Sequence, residues 1–441
     1  MASPASSPYL RQTLLKRLAD ARGQTDRLFP LVSPNAIYDR TISERHRLIF
    51  YLGHLEAFDW NLFAGVCGLK PFNPVFDKLF SFGIDPVDGN LPSDQPSDWP
   101  ARYVIEAYNA DVRAKLDALL ASPLASDTSL PALADGTLIQ VAIEHRLMHA
   151  ETLAYLLHQL PFNRKIARNE PLLTTTPPFE PQLLTIPEGG ATLGQSSTAG
   201  GFGWDNEFEA ELVRVPEFRI DAYPITNGQF LAFLRAGGYG DRSLWSEPDW
   251  EWKSAQEVLH PEYWTRRGDE WHYRAMFAEI PLPLAWPVYV SHAEASAYAR
   301  WTGKPLPTEA QWHRAAYGTA DVAERPYPWG SEPPAAQHGN FDLRRWDPEP
   351  VNAHPAGASA FGVFDLLGNG WEWTRTHFGP LPGFQAFPFY PGYSANFFDG
   401  KHFVMKGGSP RTASCMLRRP FRNWFQPHYP FVYATFRCVE D

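Results

Sequence analysis

The sequence changes character near residue 165, and this change constrains the fold more than any other feature. Before it, apolar residues recur at three- and four-residue spacing, the pattern of helices with one buried face. After it, glycine, proline and tryptophan are frequent, and helical spacing persists only at 227–236 and 291–301. The sequence therefore predicts an α+β protein with a helical bundle at 1–165, a linker at 166–182 and an irregular second domain at 183–441.

The first 165 residues predict four helices, enough for an ordinary helical bundle. We expect these helices near residues 9–28, 41–63, 103–120 and 138–160. The second is expected to begin at Thr41, because a threonine followed three residues later by glutamate (Glu44) has the pattern of a capping box. Residues 71–100 are predicted to form a long, packed loop.

Two histidines lie one turn apart in the fourth predicted helix. His145 and His149 fall on its apolar face, so both imidazoles should point inward. Imidazoles at positions i and i+4 can direct their nitrogens at one ion, which suits zinc, iron or copper. Two hydrogen-bonded core histidines would produce the same short pattern, and the pair alone leaves both interpretations open.

A histidine upstream is a candidate to join this pair. His54 lies in an apolar stretch, Tyr51-Leu52-Gly53-His54-Leu55, whereas His46 lies among charged residues. We therefore expect His54 to be the third ligand of a metal site and His46 to lie at the surface.

Charge and cysteine content argue against several classes of protein. The formal net charge is −10 and no long basic run occurs, which disfavours a nucleic-acid partner. The three cysteines, Cys67, Cys415 and Cys438, are too sparse for a disulfide framework. No stretch approaches ~20 apolar residues and no signal peptide is evident, so we expect no membrane partner and a cytoplasmic location.

The second half contains a series of short motifs. In chain order they are Leu184-Thr185-Ile186-Pro187-Glu188-Gly189-Gly190, Tyr223-Pro224-Ile225-Thr226-Asn227, Leu306-Pro307-Thr308-Glu309-Ala310-Gln311-Trp312, Gly368-Asn369-Gly370-Trp371-Glu372-Trp373-Thr374 and Gly407-Gly408-Ser409. Together they resemble the formylglycine-generating (sulfatase-modifying) enzymes, and this resemblance implies a C-type-lectin-like fold with little regular structure. Those enzymes bind copper through two cysteines, but Thr412 and Leu417 stand at the matching positions here, with Cys415 out of register. A formylglycine-type oxidase is therefore disfavoured.

A wider resemblance covers nearly the whole chain. It depends on His54, on the HxxxHxE pattern of His145, His149 and Glu151, and on the stretch Phe421-Arg422-Asn423-Trp424. These features, with a DinB-like helical bundle before the second domain, are similar to the sulfoxide synthases of ergothioneine and ovothiol biosynthesis. The resemblance implies that His54, His145 and His149 bind Fe(II). It also implies that O2 is a co-substrate and that a sulfur donor is joined to the imidazole of hercynine.

The same resemblance implies five substrate-binding residues. Asn423 and Trp424 match residues that hold hercynine, whose trimethylammonium group favours aromatic walls. Phe425 stands where members that take γ-glutamylcysteine have an acidic residue. Met148 replaces a glutamine beside the second motif histidine, and Phe82 stands where some members have tyrosine.

These departures bear on the donor. Because an aromatic replaces the acidic residue, we expect a neutral donor, and a selenosugar, as in the selenoneine synthase branch, ranks first. Cysteine or γ-glutamylcysteine is the alternative, and a non-catalytic lectin-like binding protein is the alternative of another class. The family's acid tyrosine has no match, since Leu381 occupies its position. The remaining candidates are Tyr390, Tyr393, Tyr429 and Tyr433.

Overall fold

The chain folds into two compact units. The computed structural model describes residues 8–81, 91–174, 180–198, 200–321 and 323–441. Residues 1–168 with 388–390 form the first, here called the helical unit, and residues 169–387 with 391–441 form the second, here called the mixed unit. The predicted α+β class is confirmed.

Four long helices provide the framework of the helical unit, close to their predicted positions. The helices of this unit are α1 (Pro8–Asp26), α2 (Leu48–Cys67), α3 (Pro74–Leu79), α4 (Arg102–Ala121), α5 (Pro131–Ala134) and α6 (Thr137–Gln159). Helix α2 packs against α4 and α6, and α6 also packs against α1. The facing sides bury mostly leucine, isoleucine, valine and alanine, whose removal from water stabilises the unit by about 25 cal/mol per Å².

The predicted start of α2 is wrong. The helix begins at Leu48, with Arg47 as its N-cap, instead of at Thr41. The capping pattern is not used: the Thr41 hydroxyl has no hydrogen-bond partner among the described residues, and the Ser43 hydroxyl donates to the adjacent Glu44 carboxylate. The side chain of Arg47 donates to the carbonyl of Tyr38 at 2.8 Å.

The segment predicted as a long loop contains the short helix α3. Asn73 caps this helix by accepting a hydrogen bond from the backbone N–H of Phe76 at 3.2 Å, and Pro74 occupies its first turn. Phe82 lies outside the described residues. Nowhere in the described ranges is a helix long and apolar enough to cross a membrane.

The mixed unit consists of short strands, short helices and long connections. Its helices are α7 (Asn227–Arg235), α8 (Glu247–Ala255), α9 (His292–Thr302) and α10 (Glu309–Tyr317). Its strands are β1 (Leu183–Ile186), β2 (Gly189–Leu193), β3 (Glu211–Val215), β4 (Phe218–Asp221), β5 (Trp264–Arg267), β6 (Glu270–Arg274), β7 (Glu279–Pro281), β8 (Gly370–His377), β9 (Phe403–Gly408), β10 (Asn423–Phe425), β11 (Ala434–Thr435) and β12 (Val439–Glu440). The largest sheet has the order β10-β9-β8-β11, with β11 parallel to β8 and the other pairs antiparallel.

Two helices of the mixed unit, α8 and α10, were not expected from the apolar spacing. Helix α10 has a complete capping box, since Thr308 accepts from the backbone N–H of Gln311 and Gln311 accepts from that of Thr308. Helix α8 is capped by Ser246, whose hydroxyl oxygen accepts a hydrogen bond from the backbone N–H of Asp249 at 3.3 Å. Both helices are nine residues long, and their capping residues are visible in the sequence.

The Gly-Asn-Gly-Trp-Glu-Trp motif is structural in the mixed unit. Glu372 on β8 is fully buried and accepts hydrogen bonds from Arg437, at 2.6 Å from both Nε and Nη2. The indole N–H of Trp312 donates to the same carboxylate at 3.0 Å. This paired carboxylate ties α10, β8 and the C-terminal strand region together.

Candidate metal centre

Three buried histidines converge inside the helical unit. His54 is on α2, and His145 and His149 are one turn apart on α6; their exposed fractions are 3%, 4% and 2%. The Nε2 atom of His149 lies 3.2 Å from Nε2 of His54 and 3.1 Å from Nε2 of His145. Among the described residues, this is the cluster of His, Cys, Asp or Glu side chains able to hold a metal ion.

The ring orientation of His54 is set by a backbone contact. Its Nδ1 lies 2.7 Å from the carbonyl oxygen of Phe80, which can only accept a hydrogen bond. Nδ1 therefore carries the proton, and Nε2 presents a lone pair toward His149. Gly53 makes this approach possible, because a Cβ at that position would lie 2.6 Å from the Phe80 ring.

Hydrogen bonding alone leaves the three rings unsatisfied. Nε2 of His149 has at most one proton for two neighbouring nitrogens, and Nδ1 of both His145 and His149 has no hydrogen-bond partner within the described part of the chain. A metal ion would accept a lone pair from all three Nε2 atoms at once. The donor set therefore fits a metal better than a hydrogen-bonded histidine core.

The distances also fit a shared ion. Two nitrogen ligands at about 2.0–2.1 Å from a metal are separated by roughly 2.9 Å at a right angle and roughly 3.4 Å at a tetrahedral angle. The Nε2 separations of 3.1 and 3.2 Å fall within this interval.

Burial keeps the three imidazoles neutral. Burial, with smaller contributions from the nearby His46 and Arg146, lowers the pKa of His54 to about 4, although the hydrogen bond to the Phe80 carbonyl opposes the shift. Burial likewise lowers the pKa of His145 and His149 well below the usual value, reinforced by the neighbouring rings and by Arg146. Metals bind unprotonated imidazole, so the environment favours the form that binds.

A buried ion cluster beside the histidines joins α2 to α6. Arg146, which follows His145, is fully buried and donates to both oxygens of Glu56 at 2.9 Å and to Asp59 at 2.7 Å. Arg113 of α4 donates to Glu56 as well, at 2.6 Å. Burial alone would raise the pKa of Glu56, but Arg146 and Arg113 outweigh it and lower the pKa to about 2.

The expectation that His46 lies at the solvated surface is wrong. Its side chain is half-buried, and its ring stacks on Phe50 with centroids 4.0 Å apart. The same Phe50 ring stacks on His54 at 4.8 Å. His46 is therefore a neighbour of the cluster, although it is not one of the three converging residues.

The remaining candidates lie in different places. Met148 is half-buried on α6, one residue before His149, whereas Phe82 lies outside the described residues. Asn423, Trp424 and Phe425 form β10 in the mixed unit, where they pair with β9.

Trp424 lies in an aromatic group of the mixed unit. Its ring stacks on Phe378 with a centroid distance of 4.1 Å and an interplanar angle of 7°. Tyr393 and Phe397 contact it at 5.5 and 5.6 Å. The Oδ1 atom of Asn423 accepts a hydrogen bond from the backbone N–H of Trp424 at 2.9 Å, which leaves the Asn423 amide NH2 as its other polar group.

One of the four candidate tyrosines belongs to the helical unit. Tyr390 contacts the ring of Phe58 at 5.4 Å, and Phe58 stacks face to face on His145 at 3.4 Å. Tyr393 instead stacks on Trp204 in the mixed unit at 3.9 Å. Phe58 is a residue that the sequence analysis missed; its signal was its position four residues after His54, on the same face of one helix.

Comparison with known proteins places the chain among enzymes. The family model described as the sulfatase-modifying factor enzyme 1-like domain matches residues 170–441. A hercynine oxygenase from Mycolicibacterium smegmatis is 36% identical over 447 residues, which cover 98% of this chain and 99% of that protein. A second, from Mycobacterium tuberculosis, is 36% identical over 346 residues, 78% of each chain. Ergothioneine biosynthesis protein 1 of Neurospora crassa is 28% identical, with 92% of this chain matching 55% of its length.

Proposed function

This chain belongs to the family of the hercynine oxygenases and ergothioneine-type sulfoxide synthases and is an oxidoreductase, and from that premise we propose that it is an Fe(II)- and O2-dependent hercynine synthase. The observation that carries the proposal is the convergence of three neutral, buried Nε2 atoms in the helical unit. Membership of an oxidoreductase family removes the interpretation as a non-catalytic binding module.

The proposed reaction joins the hercynine imidazole to a thiol or selenol. The imidazole C–H and the donor S–H or Se–H are lost, and a C–S or C–Se bond is formed. O2 takes up four electrons: one oxygen atom is retained on sulfur or selenium as the sulfoxide or selenoxide, and the other leaves as water.

The histidines would hold the iron through their Nε2 atoms, and iron would supply the binding and reduction of O2. Phe80 keeps the proton of His54 on Nδ1, so Nε2 stays available as a ligand. The low exposure of all three rings excludes bulk water from this side of the site.

We assign hercynine recognition to Asn423 and Trp424. The indole of Trp424 with the rings of Phe378, Tyr393 and Phe397 provides electron-rich ring faces suited to a quaternary ammonium group. The Asn423 side chain is fixed by its contact with the Trp424 backbone and supplies a neutral hydrogen-bonding group beside it.

For the donor we propose a neutral selenosugar, with cysteine second and γ-glutamylcysteine as the alternative. Phe425 stacks on Tyr429 with centroids 5.2 Å apart, so the residue after Trp424 contributes an aromatic surface in place of a carboxylate. Such a surface offers the ammonium of a γ-glutamyl group at most a cation–π attraction in place of an ion pair, and burying that charge without an ion-pair partner would cost several kcal/mol.

The test is anaerobic reconstitution with Fe(II), followed by O2, hercynine and equimolar selenosugar, thiosugar, cysteine and γ-glutamylcysteine. We expect mass spectrometry to show a hercynine selenoxide as the main product. A dominant γ-glutamyl adduct would contradict the donor assignment alone.

The metal assignment has its own test. The variants His54→Ala, His145→Ala and His149→Ala should each lose most bound iron and all turnover, whereas His46→Ala should retain both. Stoichiometric iron in the triple alanine variant would refute the proposed centre.

A further inference from the structure

The three imidazoles are not held in the same way. A histidine that binds a metal usually donates a hydrogen bond from its second ring N–H to a carbonyl, carboxylate or water, and this bond fixes the plane of the ring. His54 has such a contact, to the carbonyl of Phe80 at 2.7 Å. Nδ1 of His145 and Nδ1 of His149 have no hydrogen-bond partner in the described ranges of the chain. The protein contacts of these two rings are therefore of another kind.

For His145 the structure provides a stacked ring. Phe58 and His145 are nearly parallel, at an interplanar angle of 10°, and their centroids are 3.4 Å apart. This is closer than the stacking of Phe50 on His54, at 4.8 Å and 21°. A ring this close resists rotation of the imidazole about its Cβ–Cγ bond, because turning would drive ring edges into ring faces.

The position of Phe58 follows from the pairing of two helices. Phe58 lies one turn after His54 on α2, and His145 lies one turn before His149 on α6. Because His54 faces His149, antiparallel helices bring the next turn of α2 against the preceding turn of α6.

The Phe58 ring has a second aromatic neighbour besides His145. Tyr390, also part of the helical unit, meets it edge to face at 5.4 Å and 61°. A half-buried phenylalanine is thus held between an imidazole and a phenol ring.

We propose that Phe58 is a positioning residue for His145, holding the imidazole plane in place of the hydrogen bond that a metal-binding histidine usually makes. This inference rests on the proposed metal centre and adds to it a role for a residue that does not bind the metal. Loss of a supporting partner of a ligand typically weakens metal binding by about 10–100-fold.

The chain offers two ring-deleting variants to compare, one at the half-buried Phe58 and one at the fully buried Phe50. Phe58→Leu removes the ring from His145, which depends on it, and Phe50→Leu removes a stacked ring from His54, whose plane is also fixed by Phe80. Phe58→Tyr retains the ring and serves as the rescue. Phe58→Met is a second ring-deleting variant, for use if the leucine variant does not fold.

The probe is Co(II) alone, added to the full chain without substrate. Its visible ligand-field bands report the arrangement of ligands, and titration against a chelator measures affinity. We expect Phe58→Leu and Phe58→Met to bind Co(II) at least tenfold more weakly, with altered bands. Phe50→Leu and Phe58→Tyr should stay within threefold of the parent protein, with unchanged bands.

Two results would overturn the inference while leaving the metal centre standing. One is a Phe58→Leu protein with parental Co(II) affinity and bands. The other is an equal loss in Phe58→Leu and Phe50→Leu, which would indicate general packing. Stoichiometric Co(II) in the triple histidine-to-alanine variant would overturn the metal centre and the inference together.

Discussion

Replacing Arg146 with methionine tests what holds α2 and α6 together. The substitution keeps a long apolar stem but removes a guanidinium that donates to Glu56, to Asp59 and, at 3.0 Å, to the carbonyl of Leu55. Glu56 would retain Arg113, at 2.6 Å. Asp59 is fully buried, and burial raises its pKa even with Arg146 beside it; the substitution would remove the guanidinium that opposes this shift.

The expected loss in the free energy of unfolding on Arg146→Met follows from the burial of the ion pair. Removing one partner of a fully buried ion pair costs about 3–5 kcal/mol, because the other charge stays desolvated without compensation. The same change at an exposed pair costs about 0–1 kcal/mol. Arg164 and its partner Asp39, in the same unit, provide a half-buried comparison: their side chains are 34% and 30% exposed, so the cost of removing this pair should lie well below that of the fully buried one.

Hydrogen–deuterium exchange of peptides from α2 and α6 is the appropriate assay, since it reports the stability of these helices even if the two units unfold separately. Arg146→Met should increase exchange in both helices far more than Arg164→Met. Arg146→Lys should be intermediate, because lysine restores the positive charge but not the planar set of N–H donors of a guanidinium. Equal exchange in the two methionine variants would refute the argument that the buried cluster joins the helices.

Four other predictions can be checked separately. Burial raises the pKa of Asp365 to about 7. The contribution of protonated Asp365 to stability is therefore complete below the ordinary pKa of 3.8 and is lost as pH rises through about 7. Asp365→Asn should stabilise the protein by on the order of 2–4 kcal/mol at pH 8 and little at pH 4. Parallel pH–stability curves for the two proteins would contradict this. Trp424→Leu should weaken hercynine binding by about 0.5–2 kcal/mol in calorimetry, and an unchanged Kd would remove Trp424 from the site. Phe425→Asp should shift product ratios toward the γ-glutamylcysteine adduct, and unchanged ratios would show that this side chain does not contact the donor. Gly53→Ala should displace the Phe80 ring and weaken Co(II) binding, since a Cβ would lie 2.6 Å from that ring; parental affinity would show that Phe80 can shift without loss of the His54 contact.

Much of the helical unit could be predicted from the sequence because helical spacing is local information. The fourth helix was expected at 138–160 and is Thr137–Gln159, and the shared face of His145 and His149 follows from their separation alone. Capping was less reliable. Thr41 and Glu44 have the spacing of a capping box, yet the helix starts at Leu48, and the Thr41 hydroxyl makes no hydrogen bond within the described residues.

Local sequence patterns were enough to predict the α+β class and the inward face of α6. The resemblance to a known family indicated which histidines form the candidate metal site. The sequence could not determine which faces of the helices meet. His54 and His149 are separated by 95 residues, and Glu56 and Arg146 by 90. Phe58 reaches His145 only because α2 and α6 are antiparallel and in this register. Such contacts depend on how buried surfaces and buried charges pair in three dimensions, and they become visible once the folded chain is known.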